Sequence, residues 1–183
     1  RRTWRSAVSR TVAVSAALLV CLGAFILAAT ERVEITAVEV STPEPLERSL
    51  QPLGRPGVSG KDAVGTTVLT VSVEVGRKVG LRARFRPSLE ELSSQTTSRI
   101  HWRVFRCGED GVWRLGELRA FPDGSGDVDF VPTEPGCYLV AVAAAPVHLD
   151  RLDQKTTQYV ANVLSSNAAS RCRAIQCQVR APD

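Results

Sequence analysis

The densest group of potential ligand residues is Asp123, Ser125, Asp127, Asp129 and Glu134. Their spacing matches positions 1, 3, 5, 7 and 12 of a calcium-binding loop, where carboxylate and carbonyl oxygens surround the ion. The sixth position of such a loop needs glycine for its sharp bend, and Val128 stands there. A turn at Asp123-Gly-Ser-Gly leading into an alternating strand explains the same residues, so no metal is expected. The two histidines, His101 and His148, lie far apart, and no Ser, Cys or Asp motif accompanies either. Gly-rich phosphate loops, haem-attachment motifs and paired histidines at helical spacing are all missing from the sequence. The chain is therefore read as non-catalytic, with no cofactor.

A second group is aromatic and basic. Trp113, with Arg82, Arg84, Arg103, Arg106 and Arg114, offers residue types enriched in interface hot spots. The candidate interface is centred on Trp113, Arg103 and Arg114. The competing reading is a solvated strand face on which alternating arginines discourage edge pairing.

What positions these residues begins with Thr11 to Thr30 (TVAVSAALLVCLGAFILAAT), an uncharged run preceded by Arg1, Arg2, Arg5 and Arg10. Twenty helical residues span about 30 Å, the thickness of a hydrocarbon core. The arginines place residues 1–10 in the cytoplasm and the remainder across the plasma membrane. The run exceeds the apolar region of a secretory signal, and the residues Leu27-Ala28-Ala29 make a poor cleavage site, so it is read as a retained anchor. Ala13, Ala16, Ala17, Gly23 and Ala24 are small residues that allow close packing against another membrane helix.

The same segment accounts for the charge. The net charge is +4, and no acidic residue occurs before Glu31. Setting the four arginines aside leaves 19 basic residues against 19 acidic ones. The excess is a topology signal, and nucleic-acid binding is not expected.

Beyond the membrane lie Cys107, Cys137, Cys172 and Cys177. An even number in a translocated domain reads as two disulfides. A local Cys172–Cys177 bridge and a Cys107–Cys137 bridge between strands are favoured among the three pairings. Cys21 is read as a small apolar residue of the helix.

Residues 31–64 carry Pro43, Pro45, Pro52, Pro56, Gly54, Gly57 and Gly60 and read as an extended or surface-hugging linker, although 31–40 alternates imperfectly and reads either as an extension of the membrane helix or as a short strand. The globular domain spans 65–183. Short alternating runs follow at 68–75, 79–85, 100–107, 112–121 and 128–131, with CYLVAV (137–142) as the most apolar and central strand. This regular spacing predicts an antiparallel β-sandwich. Leu149, Leu152, Tyr159, Val160, Val163 and Leu164 fall near helical spacing and predict one amphipathic helix over 149–166. A strand at 175–179 closes the sheet.

The stretch Phe130-Val-Pro132-Thr-Glu-Pro135-Gly136-Cys-Tyr138-Leu-Val140-Ala-Val142 resembles the penultimate strand and its approach in bacterial immunoglobulin-like and PKD-like domains. The resemblance covers about residues 66–147. It implies an immunoglobulin-like sandwich with Tyr138 at a sheet corner and Trp102 facing inward, and it says nothing of a ligand. Cys137 departs from the pattern, where a polar residue is usual. The functional expectation is an accessory subunit that stabilises a larger integral-membrane complex, photosynthetic or respiratory, through its helix and outer domain. The alternative is a surface-anchored module that binds a glycan or protein.

Overall fold

The structure, a computed structural model, describes residues 33–42, 46–54, 66–116, 121, 123–166 and 170–182. The chain divides into two units, Arg1–Arg32 and Val33–Asp183. The expected cytoplasmic tail, the membrane helix at 11–30 with its small-residue positions, and residues 55–64 of the expected linker lie outside the described residues. Among the described residues, no helix is long and apolar enough to cross a membrane.

The second unit is mainly β, with two sheets. β1 (Glu34–Val40), β4 (Val79–Arg86) and β7 (Asp127–Phe130) form a small sheet in the order β1-β4-β7. The larger sheet contains β2 (Glu47–Pro52), β3 (Thr67–Glu74), β10 (Cys172–Arg180), β8 (Gly136–Ala144), β5 (Ile100–Cys107), β6 (Val112–Leu115) and β9 (Lys155–Thr156), in that order. The large sheet is not wholly antiparallel as expected, because β10 runs parallel to β3.

The linker reading is corrected at β2, and before it the short-strand alternative holds at β1. β1 pairs with β4 and sends Ile35 into the core, while β2 pairs with β3. Pro52 sits at the far end of an outermost strand, where its missing N–H costs no ladder bond. Pro52 and Gly54 therefore mark the end of β2, not the lack of a strand.

Side-chain alternation in the large sheet builds two cores. Even-numbered residues of β5 and β8, among them Ile100, Trp102, Val104, Val140 and Val142, meet Leu81, Val128 and Phe130 of the small sheet. Odd-numbered residues, Phe105, Leu139, Ala141 and Ala143, point the other way. That opposite face is covered by a 3-10 turn at Leu149–Leu152 and a helix at Thr157–Ser165. β8 is thus buried on both faces, which explains its unbroken apolar run.

The cover is not the continuous helix expected over 149–166. The chain turns at Gln154, whose φ is +55°, and Lys155 and Thr156 then pair with Trp113 and Val112 as β9. Thr156 caps the helix, its side chain accepting from the backbone N–H of Tyr159 at 3.4 Å. Leu149, Leu152, Val160 and Ala161 are buried, whereas Tyr159 is exposed. Burying an aliphatic side chain of this size stabilises by about 1.5–3 kcal/mol, and an exposed ion pair by about 0–1 kcal/mol. Apolar contact therefore holds the cover down.

Candidate functional site

A groove of about 1180 Å³ opens at one end of the two sheets. Phe130 and Tyr138 line it, with ring centroids 5.5 Å apart. Leu115, Phe121 and Val131 add apolar wall. Leu115 and Val131 are each 41% exposed, a high value for aliphatic residues. The β5–β6 hairpin supplies one side of the groove, and the loop between β7 and β8 supplies the other.

Local chemistry shapes the loop. Gly136 adopts φ +150°, a conformation L side chains rarely take, and its missing Cβ would lie 3.4 Å from the Arg106 guanidinium. The Tyr138 hydroxyl donates to the carbonyl of Glu134 at 3.0 Å, pulling the loop back over its own strand. Burial is the leading cause that raises the Tyr138 pKa, so the hydroxyl stays a donor. The Arg106 guanidinium lies 5.8 Å from the centroid of the Tyr138 ring.

Charges at the rim are committed to neighbours. Arg106 pairs with Glu134 and also donates to the Pro135 carbonyl at 3.1 Å. Lys78 meets Asp129 at 3.2 Å. On the hairpin, Arg114 donates twice to Asp110, at 2.5 and 3.0 Å. Those bonds, with a third from the Val112 N–H, hold the Asp110 pKa down to about 2. The groove thus offers an apolar interior behind a rim of internally neutralised charge.

The expected interface does not assemble. Trp113 is fully buried beneath the cover and is not an exposed anchor. Arg103 faces the cover, where it donates to Asp150 at 2.8 Å and to the Trp102 carbonyl at 2.8 Å. Arg82 and Arg84 lie on the outer face of the small sheet, paired with Asp127 and Glu39. Arg114 alone of the three central residues lines the groove. Alternation had placed these residues on strands, but not which sheet each strand joins.

The acidic set also disperses. Asp127, Asp129 and Glu134 each pair with a different cation, and Asp123 lies 4.0 Å from Arg103. Among the described residues, no three His, Cys, Asp or Glu side chains converge as a metal site. His101 serves the fold, with its Nε2 accepting the Leu149 N–H at 3.3 Å.

All four described cysteines are buried, and no disulfide joins any of them in this structure, so neither expected bridge is present in it. Cys172 and Cys177 occupy one strand and enter different cores, Cys172 under the cover and Cys177 between the sheets. Five residues of strand separate them by about 16 Å, beyond the roughly 7 Å limit for a bridge. The local disulfide is therefore excluded. Burial pushes both thiols up to about 12. Cys107 and Cys137, by contrast, are directly opposite partners on β5 and β8 and both line the groove.

Sequence reasoning missed the groove itself. Its one legible trace is Phe130-Val131, where an apolar residue follows an inward one and breaks the alternation of β7.

Comparison with known proteins adds little. No family model matches the sequence, and no curated protein matches it. Among solved structures, the chain is similar to the extracellular domain of a putative hybrid two-component system from B. thetaiotaomicron, at 12% identity and a TM-score of 0.27. The match covers 77% of this chain and 16% of that one, so this chain spans a small part of the other's length. A likeness of that size carries neither fold nor function across.

Proposed function

We propose that this chain is a membrane-anchored contact subunit whose outer domain binds a protein partner through the groove beside β7 and β8. The observation that carries the reading is the exposure of Leu115 and Val131 at the wall of a groove whose rim charges are already paired. Such a surface suits a neutral, apolar protein contact better than an anion or a nucleic acid. The Thr11–Thr30 run and its preceding arginines support an anchor with the domain outside the cytoplasm. The small residues Ala13, Ala16, Ala17, Gly23 and Ala24 support a neighbouring integral-membrane subunit.

An immunoglobulin-like sandwich is the finer fold reading. Its support is the inward Trp102, whose indole donates to the Ser125 carbonyl at 2.8 Å, and the Tyr138–Glu134 bond, which has the form of a tyrosine corner.

Purification of the tagged full chain in mild detergent, with mass spectrometry of what accompanies it, tests the reading. A stoichiometric integral-membrane partner supports it. A lone monomer overturns it in favour of a surface-anchored module for a glycan or protein.

A further inference from the structure

We infer that Cys107 and Cys137 form a cross-strand disulfide that locks the wall of the groove, while Cys172 and Cys177 remain thiols. The inference gives the proposed contact site a covalent clamp, and it rests on that reading only for the compartment in which the bond forms.

Register is the first support. Gly108 N donates to Val112 O, and Gly116 N to Val104 O, both at 2.9 Å. Even-numbered residues at this end of β5 therefore turn their backbone groups toward β6, and Cys107 turns its own toward β8. In antiparallel strands such a hydrogen-bonded pair has its Cα atoms about 5.5 Å apart, near the commonest spacing in disulfides. The Cβ atoms, about 5.5 Å apart in such pairs, must close to about 4 Å. The pair sits at the end of the ladder, where β5 gives way to the turn at Gly108, and that end can yield.

Exclusion is the second. Cys107 and Cys137 belong to the same core, and the two thiols interact directly. Cys177 belongs to the other core, across the sheet. Cys172 stands opposite Ala143, six residues along β8 from Cys137 and so about 20 Å away. Of the three pairings open to four cysteines, the register permits one bond and no second.

Both cysteines are buried in the finished fold, and the contact with Cys107, with burial, raises the Cys137 pKa, so the bond forms as the strands meet, before the cover closes. The oxidant is a small-molecule or protein disulfide. The thiolate of one cysteine attacks it, forms a mixed disulfide and releases one thiol. The second cysteine attacks the bound sulfur and releases the other thiol. Two thiols are oxidised, one disulfide is reduced, and the two protons pass to the departing thiolates.

Cell-free synthesis of the full chain in detergent micelles, in a glutathione buffer poised oxidising, tests the geometry without any compartment. Thiols are trapped by alkylation under denaturing conditions and peptides are mapped without reduction. The expected result is a linked peptide pair containing Cys107 and Cys137, with Cys172 and Cys177 alkylated. Alkylation of all four, or a link through Cys172 or Cys177, overturns the inference. A reductant should lower the melting temperature by about 5 °C or more in the linked protein and leave a Cys107→Ser/Cys137→Ser variant unchanged. An equal effect on both also overturns it. The same map on protein taken from cells separates the two readings. Thiols there, beside a link in the cell-free product, would retain the disulfide geometry and reject placement outside the cytoplasm.

Discussion

The imidazole of His101 on β5 accepts the backbone N–H of Leu149 through Nε2 at 3.3 Å, fastening the start of the cover to the large sheet. The bond requires an unprotonated Nε2, which leaves the proton on Nδ1, 3.4 Å from the Arg99 carbonyl. Burial is the leading cause that lowers the His101 pKa. Arg103 pushes the same way, and the Arg99 carbonyl, Asp150 and Asp123 oppose it.

A folded pKa below the unfolded value of about 6.5 fixes the sign. The stabilisation is complete above the unfolded pKa and is lost as pH falls through the lower, folded one. Melting temperature measured from pH 8 to pH 5 should hold steady and then decline below about 6.5. His101→Gln, which cannot titrate, should show a shallower decline over that interval. Equal slopes for the two proteins would reject this role.

Trp113 shows how little its polar atom contributes. Its side chain is wholly buried beneath the cover, and its Nε1 has no hydrogen-bond partner among the described residues. Trp113→Phe keeps most of the apolar contact and removes an unpaired donor, so it should cost less than Trp113→Ala. The alanine variant should lose about 3–5 kcal/mol. Urea unfolding of the pair checks the order, and a phenylalanine variant as unstable as alanine would mean that the indole N–H is bonded.

Gln176 is the opposite case. It is buried on β10, yet both ends of its amide are used. Its oxygen accepts the Gly54 N–H at 2.8 Å and its nitrogen lies 3.5 Å from the Thr70 hydroxyl. Gln176→Leu leaves the Gly54 N–H unmet and should cost about 1–3 kcal/mol. Gln176→Glu should cost more near neutral pH, because it places a carboxylate where water is excluded. Hydrogen exchange at Gly54 should rise in the leucine variant before global stability is lost.

Strands whose alternation separates inside from outside were readable at once. Ile100, Trp102 and Val104 point inward as their spacing requires, and the central place of β8 follows from its double-sided apolar run. The helix at 149–166 was misread because Leu149 and Leu152 lie at a spacing that a 3-10 turn also satisfies. Tyr159 fitted the stripe and faces water. β2 was hidden by the proline and glycine at its end. The groove was least legible, because it arises where a hairpin and a loop distant in sequence meet, and no local period encodes that meeting.

The groove leads to the last expectation. Lys78–Asp129 and Arg106–Glu134 neutralise each other within the chain, so a partner seated between them gains little from long-range attraction. Association should then depend weakly on ionic strength between about 50 and 500 mM salt, since screening acts on uncompensated charge. It should depend strongly on apolar area. Val131→Asp and Leu115→Glu alter side chains already 41% exposed, so each should fold with little change in melting temperature. A charge buried at the centre of a contact costs several kcal/mol unless it finds a partner. Each variant should therefore reduce recovery of the co-purifying subunit at least tenfold. Glu109→Gln, at the polar rim, serves as a control and should leave recovery within about twofold. Unchanged recovery with both acidic variants would remove the groove from the contact, even if a membrane partner is found.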